Sequence, residues 1–252
     1  MLTITALTEL TANQLALLAA IAFVAGLVRG FSGFALSAMV MASAVLILPP
    51  VQLIPVCWVL EMTASALMLR GGWADADRAV TFGLVGGAAL GVPMGLALTT
   101  SIDVATSTLV ALVVILVLAA TQLARLRMPF LATRPGLYGS GLLSGIATGL
   151  AGVGGMVVAV YVLASNSPAR QMRGSLVLYL LASSVITLFM LLGFALMTGT
   201  ALARGLALAL PVALGVVGGK LLFTPRFEPF YRSFCLSLLI GLATLGLIRT
   251  AF

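Results

Sequence analysis

Charge, histidine and cysteine are all scarce in this chain. Only 8% of its 252 residues are charged, against about 25% in soluble domains. No histidine is present, which removes the commonest metal ligand and general base. The two cysteines, Cys57 and Cys235, both lie inside apolar segments, so neither a disulfide framework nor a metal cluster is expected. Cys57 reads as a small buried hydrophobe, with a sulfur-handling role as the alternative. There are no clustered carboxylates and no nucleophile elbow. The chain is therefore not expected to be an enzyme, and no cofactor is expected. Basic runs and low-complexity tails are missing too, so the net charge of +7 does not point to nucleic acid. The first residues, MLTITALTELTANQ, lack a basic flank and carry Glu9, so no cleaved leader is expected.

What fills the chain instead is apolar. Hydrophobic residues make up 62% and the mean hydropathy is +1.25. A water-soluble fold cannot hide that much apolar surface. Several runs reach the roughly 20 residues needed to cross a bilayer core, and the length allows one membrane domain and no soluble one. The expected fold is an all-α polytopic membrane protein.

Two halves are visible. Gly26, Gly30 and Gly33 recur as Gly145, Gly149 and Gly152, at a constant offset of 119, and the same offset carries Pro49 onto Pro168 and Gln52 onto Gln171. The repeats are read as about 10–125 and 135–250, joined by Arg125–Arg134. Each opens with a long apolar segment interrupted by glycines, 12–48 and 136–165, followed by three ordinary spans. These are about 51–70, 79–98 and 104–124, then 174–196, 203–222 and 231–250. A continuous helix over 12–48 would measure about 55 Å at 1.5 Å per residue, longer than a bilayer core. The break is expected at Gly30–Gly33, and its counterpart at Gly149–Gly155.

Basic residues then choose between two topologies. Eight simple spans would split them seven against five. If the two broken segments are re-entrant hairpins, ten fall on one side and only Arg204 and Arg249 on the other, with Arg29 inside the membrane. Ten against two is the bias of a cytoplasmic face. The expected architecture is thus two inverted repeats, each a glycine-broken re-entrant hairpin plus three transmembrane helices, with eight simple spans as the alternative.

Irregular backbone at membrane depth is tolerated where it is buried or lines a cavity, and half-helix starts carry partial positive charge. The candidate substrate-binding set is therefore Arg29, Gly30, Ser32, Gly33, Ser37 and Gln52 from the first half. Thr148, Gly149, Gly152, Gly154, Gly155 and Gln171 come from the second. Glycine packing between helices is the competing explanation for the glycines. Arg29 and Glu61 are both unexpected at membrane depth. Glu61 is read as a partner for Arg29 or a proton site, and its counterpart at the repeat offset is Leu180. Asn166, Arg170 and Arg173 read as cytoplasmic-face residues able to attract anions. Ser183 and Ser184 either line the pathway or bond a neighbouring helix.

The segment GLVRGFSGFALS, repeated as GLLSGIATGLAGVGG, resembles the sulfite exporter TauE/SafE family, as do the size, the duplicated plan and the stretch GVVGGKLLFTPRFEPFYRSF. The first copy departs from the pattern by placing Phe34, Ala35 and Leu36 opposite Val153, Gly154 and Gly155. The resemblance implies a multi-pass transporter of the bacterial inner membrane, with sulfite or an organosulfonate as its partner. Export is expected over import on other grounds, because an anion leaves down the membrane potential and the chain offers one buried carboxylate, Glu61, with no intramembrane His, Asp or Lys relay to couple uptake. An anion channel or a proton-coupled anion importer is the alternative, with a scaffold or an enzyme further off.

Overall fold

A computed structural model describes residues 2–124, 129–164, 168–222 and 228–251. Among these, all regular structure is helical. A short helix α1 (Leu2–Thr8) leads into α2 (Ala12–Ser32). At the start of α2, Thr11 accepts from the Gln14 N–H, and the Gln14 side chain accepts in turn from the Thr11 N–H, so the two satisfy each other. Gly33 ends the helix at φ 83°, its N–H returned to the Arg29 carbonyl, a left-handed conformation that glycine adopts without steric cost.

Helix α3 (Leu36–Ala44) follows, then α4 (Pro50–Asp75), α5 (Arg78–Ser101) and α6 (Val104–Leu123). Asp77 and Asp103 cap the last two by accepting from the N–H groups of Val80 and Thr106. A 3-10 turn at Pro129–Ala132 precedes α7 (Arg134–Ala151), which Thr133 caps and Gly152 ends at φ 69°. Then come α8 (Gly154–Ala164), α9 (Ala169–Gly193), α10 (Gly199–Leu222) and α11 (Glu228–Ala251).

Six of these helices, α2, α4, α5, α6, α9 and α10, are long and apolar enough to cross a membrane, and α11 carries a shorter apolar stretch among the described residues. Their outer faces are large and hydrophobic. Leu206, Leu210, Leu214 and Leu221 are all exposed along α10, at the four- and seven-residue spacings of one helical face. A chain with such a surface is a polytopic membrane protein.

Glycines set the tightest contacts. Helix α5 lies on α7 through Gly87, Gly91 and Gly95 facing Gly141, Gly145 and Gly149. Helix α2 lies on α10, with Gly26 and Gly30 against the carbonyls of Val212 and Val216. Residue numbers rise together in both contacts, so each pair is parallel. The central pair α4 and α9 is antiparallel: Trp58 Nε1 donates to the Ser184 carbonyl at 2.8 Å, whereas Gly174 packs on Asp75 and Ala76.

One side chain shows where the chain goes after α2. The Arg204 guanidinium, in the first turns of α10, donates to the Thr8 carbonyl at 2.7 Å and to Gln52 Oε1 at 2.8 Å. Residues just before α2 and in the first turn of α4 thus meet at one end, so the chain that runs inward along α2 has come back by the start of α4. The other end has the same construction. The starts of α7 and α5 lie together, Ser175 near the start of α9 accepts from the Asp77 N–H at 2.9 Å, and α8 packs back against the 129–132 turn.

The breaks differ in detail from the sequence expectation. The first runs over Gly33–Ala35, leaving Gly30 inside α2, and the second over Gly152–Val153, leaving Gly149 inside α7. Ala35 adopts φ 72°, so the first break places an alanine in the left-handed region.

Candidate functional site

Glu61 sits near the middle of α4 and Arg29 in the last turn of α2. The arginine is wholly buried. Its Nη2 donates to Ser65 Oγ at 3.0 Å, Nη1 donates to the Gly33 carbonyl, and Nε lies 3.3 Å from Glu61 Oε2. That last contact is an ion pair without hydrogen-bond alignment, because neither Nε nor Oε2 has a hydrogen-bond partner.

The other Glu61 oxygen is fully engaged. Oε1 accepts from Ser37 Oγ at 2.8 Å and from the Ser37 backbone N–H at 3.3 Å. Ser37 lies in the first turn of α3, a helix with no side-chain cap of its own. The Glu61 carboxylate therefore supplies the negative charge that a helix start favours, and Arg29 answers the opposite need at the end of α2. The first break is closed electrically by the chain itself.

A small cavity lies against this arrangement, lined by Ser37, Ile54, Cys57, Trp58, Glu61, Thr148, Gly152, Leu180, Ser183, Ser184 and Thr187. It leaves ≈ 40 Å³ for water centres, room for roughly three waters or one small oxyanion. An adjoining recess shares Ser37, Glu61, Gly152 and Leu180, and adds Gly155 from the first turn of α8. The starts of α3 and α8 thus open on the same space, between the middles of α4 and α9.

The candidate residues divide three ways. Ser37, Thr148, Gly152 and Gly155 border this space with Glu61. Arg29, Gly33 and Gly154 stand directly behind it; Gly154 is pressed on Ser144 and Thr148, where a Cβ would meet Thr148 Oγ1 at 2.1 Å. The rest lie elsewhere. Gly30 faces the Val216 carbonyl and Gly149 faces Gly95, so both serve helix contact rather than a ligand. Ser32 bonds within its own break, donating to the Val28 and Phe34 carbonyls. Gln52 holds Arg204 at one end of the bundle. Gln171 is half-buried in the first turn of α9, about 13 Å along the helix from Leu180. Asn166 lies outside the described residues, as do the side chains of Arg170, Arg173 and Cys235.

Three cavity residues, Ile54, Trp58 and Thr187, escaped the sequence reading, although a signal existed for two of them. Trp58 stands three residues before Glu61 on α4 and Thr187 three residues after Ser184 on α9, each pair on one helical face. Ser183 and Ser184 line the cavity, but both hydroxyls reach the Leu180 carbonyl. Ser144, which bonds Tyr179 and the Gly154 carbonyl, braces the second break.

The family model described as Sulfite exporter TauE/SafE matches residues 18–245. No curated protein matches, and no solved structure does.

Proposed function

Because the chain belongs to the sulfite exporter TauE/SafE family, we propose that it carries a small oxyanion, sulfite or an organosulfonate, across a bacterial inner membrane, outward rather than inward. The observation that carries this reading is the convergence of two half-helix starts, at Ser37 and at Gly152–Gly155, on one small cavity midway between α4 and α9. Backbone N–H groups and partial positive charge at such starts are suited to anions.

In this reading residues about 10–125 and 135–250 are inverted halves, and α2–α3 and α7–α8 are the re-entrant hairpins. The return of the chain to the Arg204 end supports that plan over eight simple spans. So does the antiparallel course of α4 and α9, which occupy matching places in the two halves. The end with the starts of α5, α7 and α9 carries the basic excess and faces the cytoplasm.

Direction follows from charge. Moving one charge across 100 mV is worth about 2.3 kcal/mol, and roughly twice that for a dianion. With a negative cytoplasm an anion leaves downhill without a coupling ion. In vesicles holding the purified protein, flux of sulfite or methanesulfonate saturates, follows the imposed potential and ignores a pH gradient. Flux that required an inward proton gradient would make the protein a proton-coupled importer instead, and non-saturating flux would make it a channel.

A further inference from the structure

The polar side chains around the central cavity already have their protons engaged. Ser183 and Ser184 donate to the Leu180 carbonyl, Thr187 to the Ser183 carbonyl and Thr148 to the Ser144 carbonyl. Ser37 Oγ donates to the Glu61 carboxylate, and Trp58 Nε1 to the Ser184 carbonyl. The direction of each bond is fixed, because a carbonyl or a carboxylate can only accept. The main chain behaves alike: the Ser37 N–H points to Glu61 Oε1 at 3.3 Å and the Gly152 N–H to the Thr148 carbonyl at 2.8 Å. Among the described lining side chains this leaves the Cys57 thiol, a weak donor. What the wall presents freely is lone pairs, on the five hydroxyls and on Glu61.

Charge narrows the guest further. An acceptor wall by itself would suit a small cation. Here Arg29 stands 3.3 Å behind the carboxylate, and the starts of α3 and α8 turn partial positive charge toward the space. Arg29 is wholly buried, however, and Glu61 is the charged side chain that lines the cavity among the described residues. A dianion there faces a like charge with no free donor beside it. A monoanion that carries its own O–H or N–H feels the same helix starts, meets less repulsion, and gives the lone pairs a proton. The ≈ 40 Å³ of space limits it to one small group.

We infer that the cavity takes a protonated monoanion, hydrogensulfite or a sulfur oxyanion with an N–H or O–H of its own, in preference to a dianion or to an anion without a donor. Glu61 and the α9 hydroxyls set that preference. This inference rests on the proposed anion transport and adds the form in which the anion is carried. At a fixed inner pH the share of hydrogensulfite is constant, so exit still follows the potential, with one charge moved per sulfur.

Sulfamate and methanesulfonate are the deciding pair of probes. They have equal numbers of heavy atoms and one negative charge each near neutral pH, and sulfamate alone has N–H groups. Titrated by calorimetry onto the purified full chain in lipid nanodiscs, sulfamate binds about tenfold tighter, as one hydrogen bond to a charged group gives. Sulfite binding weakens as pH rises through the last ionisation of the substrate, whereas sulfamate binding stays level over the same range. The double variant Arg29→Met/Glu61→Gln removes the carboxylate and its counter-charge together and brings an amide N–H to the wall. In it the preference for sulfamate falls to within about threefold and sulfate binding gains. If that variant does not fold, the wild-type comparison and the pH series still decide. Equal affinity for the pair would overturn the inference, as would sulfite binding indifferent to pH. Sulfite and sulfamate weakening together would also overturn it, since a protein group would then be titrating; Arg29 from α2 and Cys57 from α4 are the titratable neighbours of Glu61, with Tyr179 of α9 behind Ser144. Binding lost when sodium is replaced by N-methylglucamine would assign the acceptor wall to a cation. Methanesulfonate binding as well as sulfamate would remove only the preference for a donor, whereas a wild-type chain that binds none of the probes would take the transport reading down too.

Discussion

Arg29→Met should unfold this protein before it blocks transport. The guanidinium is wholly buried and 3.3 Å from Glu61 Oε2. At an effective dielectric of about 20, two unit charges at that separation attract by about 5 kcal/mol. Removing one partner leaves the other charge buried and uncompensated, a loss of about 3–5 kcal/mol. The Gly33 carbonyl and Ser65 lose their donor as well. Glu61→Gln should cost a similar amount, because it strands Arg29 while sparing the bonds to Ser37. The double variant Arg29→Met/Glu61→Gln strands no charge, and it should return to within about 1–2 kcal/mol of wild type, since uncharged replacements of a buried pair are often neutral. Equilibrium unfolding in mixed micelles gives the three values, and vesicle flux normalised to folded protein gives the activity. A pathway arginine would behave the other way, losing flux at full stability. The reasoning fails if Arg29→Met stays within about 1 kcal/mol of wild type, or if the double variant is as unstable as the two single losses combined.

Glycine contacts give a second test. Gly91→Ala puts a Cβ 2.1 Å from the Leu142 carbonyl oxygen and should cost about 1–3 kcal/mol through overpacking. Gly86→Ala on the same helix meets nothing within 4 Å and should gain up to about 1 kcal/mol from helix propensity; equal stabilities in micelle unfolding would contradict the packing. Ala35→Gly should be neutral or stabilising by up to about 1 kcal/mol, because it frees a left-handed residue, and Ala35→Val should lower the melting temperature. Arg204→Ala removes charged hydrogen bonds to Thr8 and Gln52, worth about 1.5–3 kcal/mol each, and hydrogen exchange in Leu2–Thr8 should accelerate. The Thr106 backbone N–H, then its hydroxyl, holds the Asp103 carboxyl below its ordinary range. The cap it gives α6 is therefore present above the unfolded pKa and lost as pH falls through the lower folded one, so the Thr106 amide should stay protected into strongly acidic buffer; loss of that protection in mild acid would refute it.

The helical plan was readable because lipid imposes a simple rule on composition and length, and the expected spans lie on the observed helices to within a few residues. The glycines were harder. Gly26, Gly30, Gly145 and Gly149 recur with Gly33 and Gly152 at one offset, yet only Gly33 and Gly152 have positive φ and end a helix. The other four hold helices together at backbone distance. Spacing cannot separate these uses, since a helix-packing face and a helix end both draw on small residues three or four apart. Ala35 carried no signal at all, because alanine is disfavoured in the left-handed region it occupies.

Arg29 and Glu61 show a different limit. Each was anomalous on its own, a charge in an apolar run, and that much is a statement about transfer to lipid. Whether a buried charge is a ligand for the substrate or a ligand for the fold depends on what lies within 4 Å of it. Here the partners are 32 residues apart, and they meet because α3 begins beside the middle of α4. The return of the chain after α2 puts a helix end and a helix start side by side, and each accepts one member of the pair. Thr148 and Leu180 stand at the corresponding places of the second break with nothing to offer a helix dipole. A charge in one repeat and its absence in the other were both written in the sequence at the same offset. That both breaks border a single cavity is something no spacing along the chain encodes.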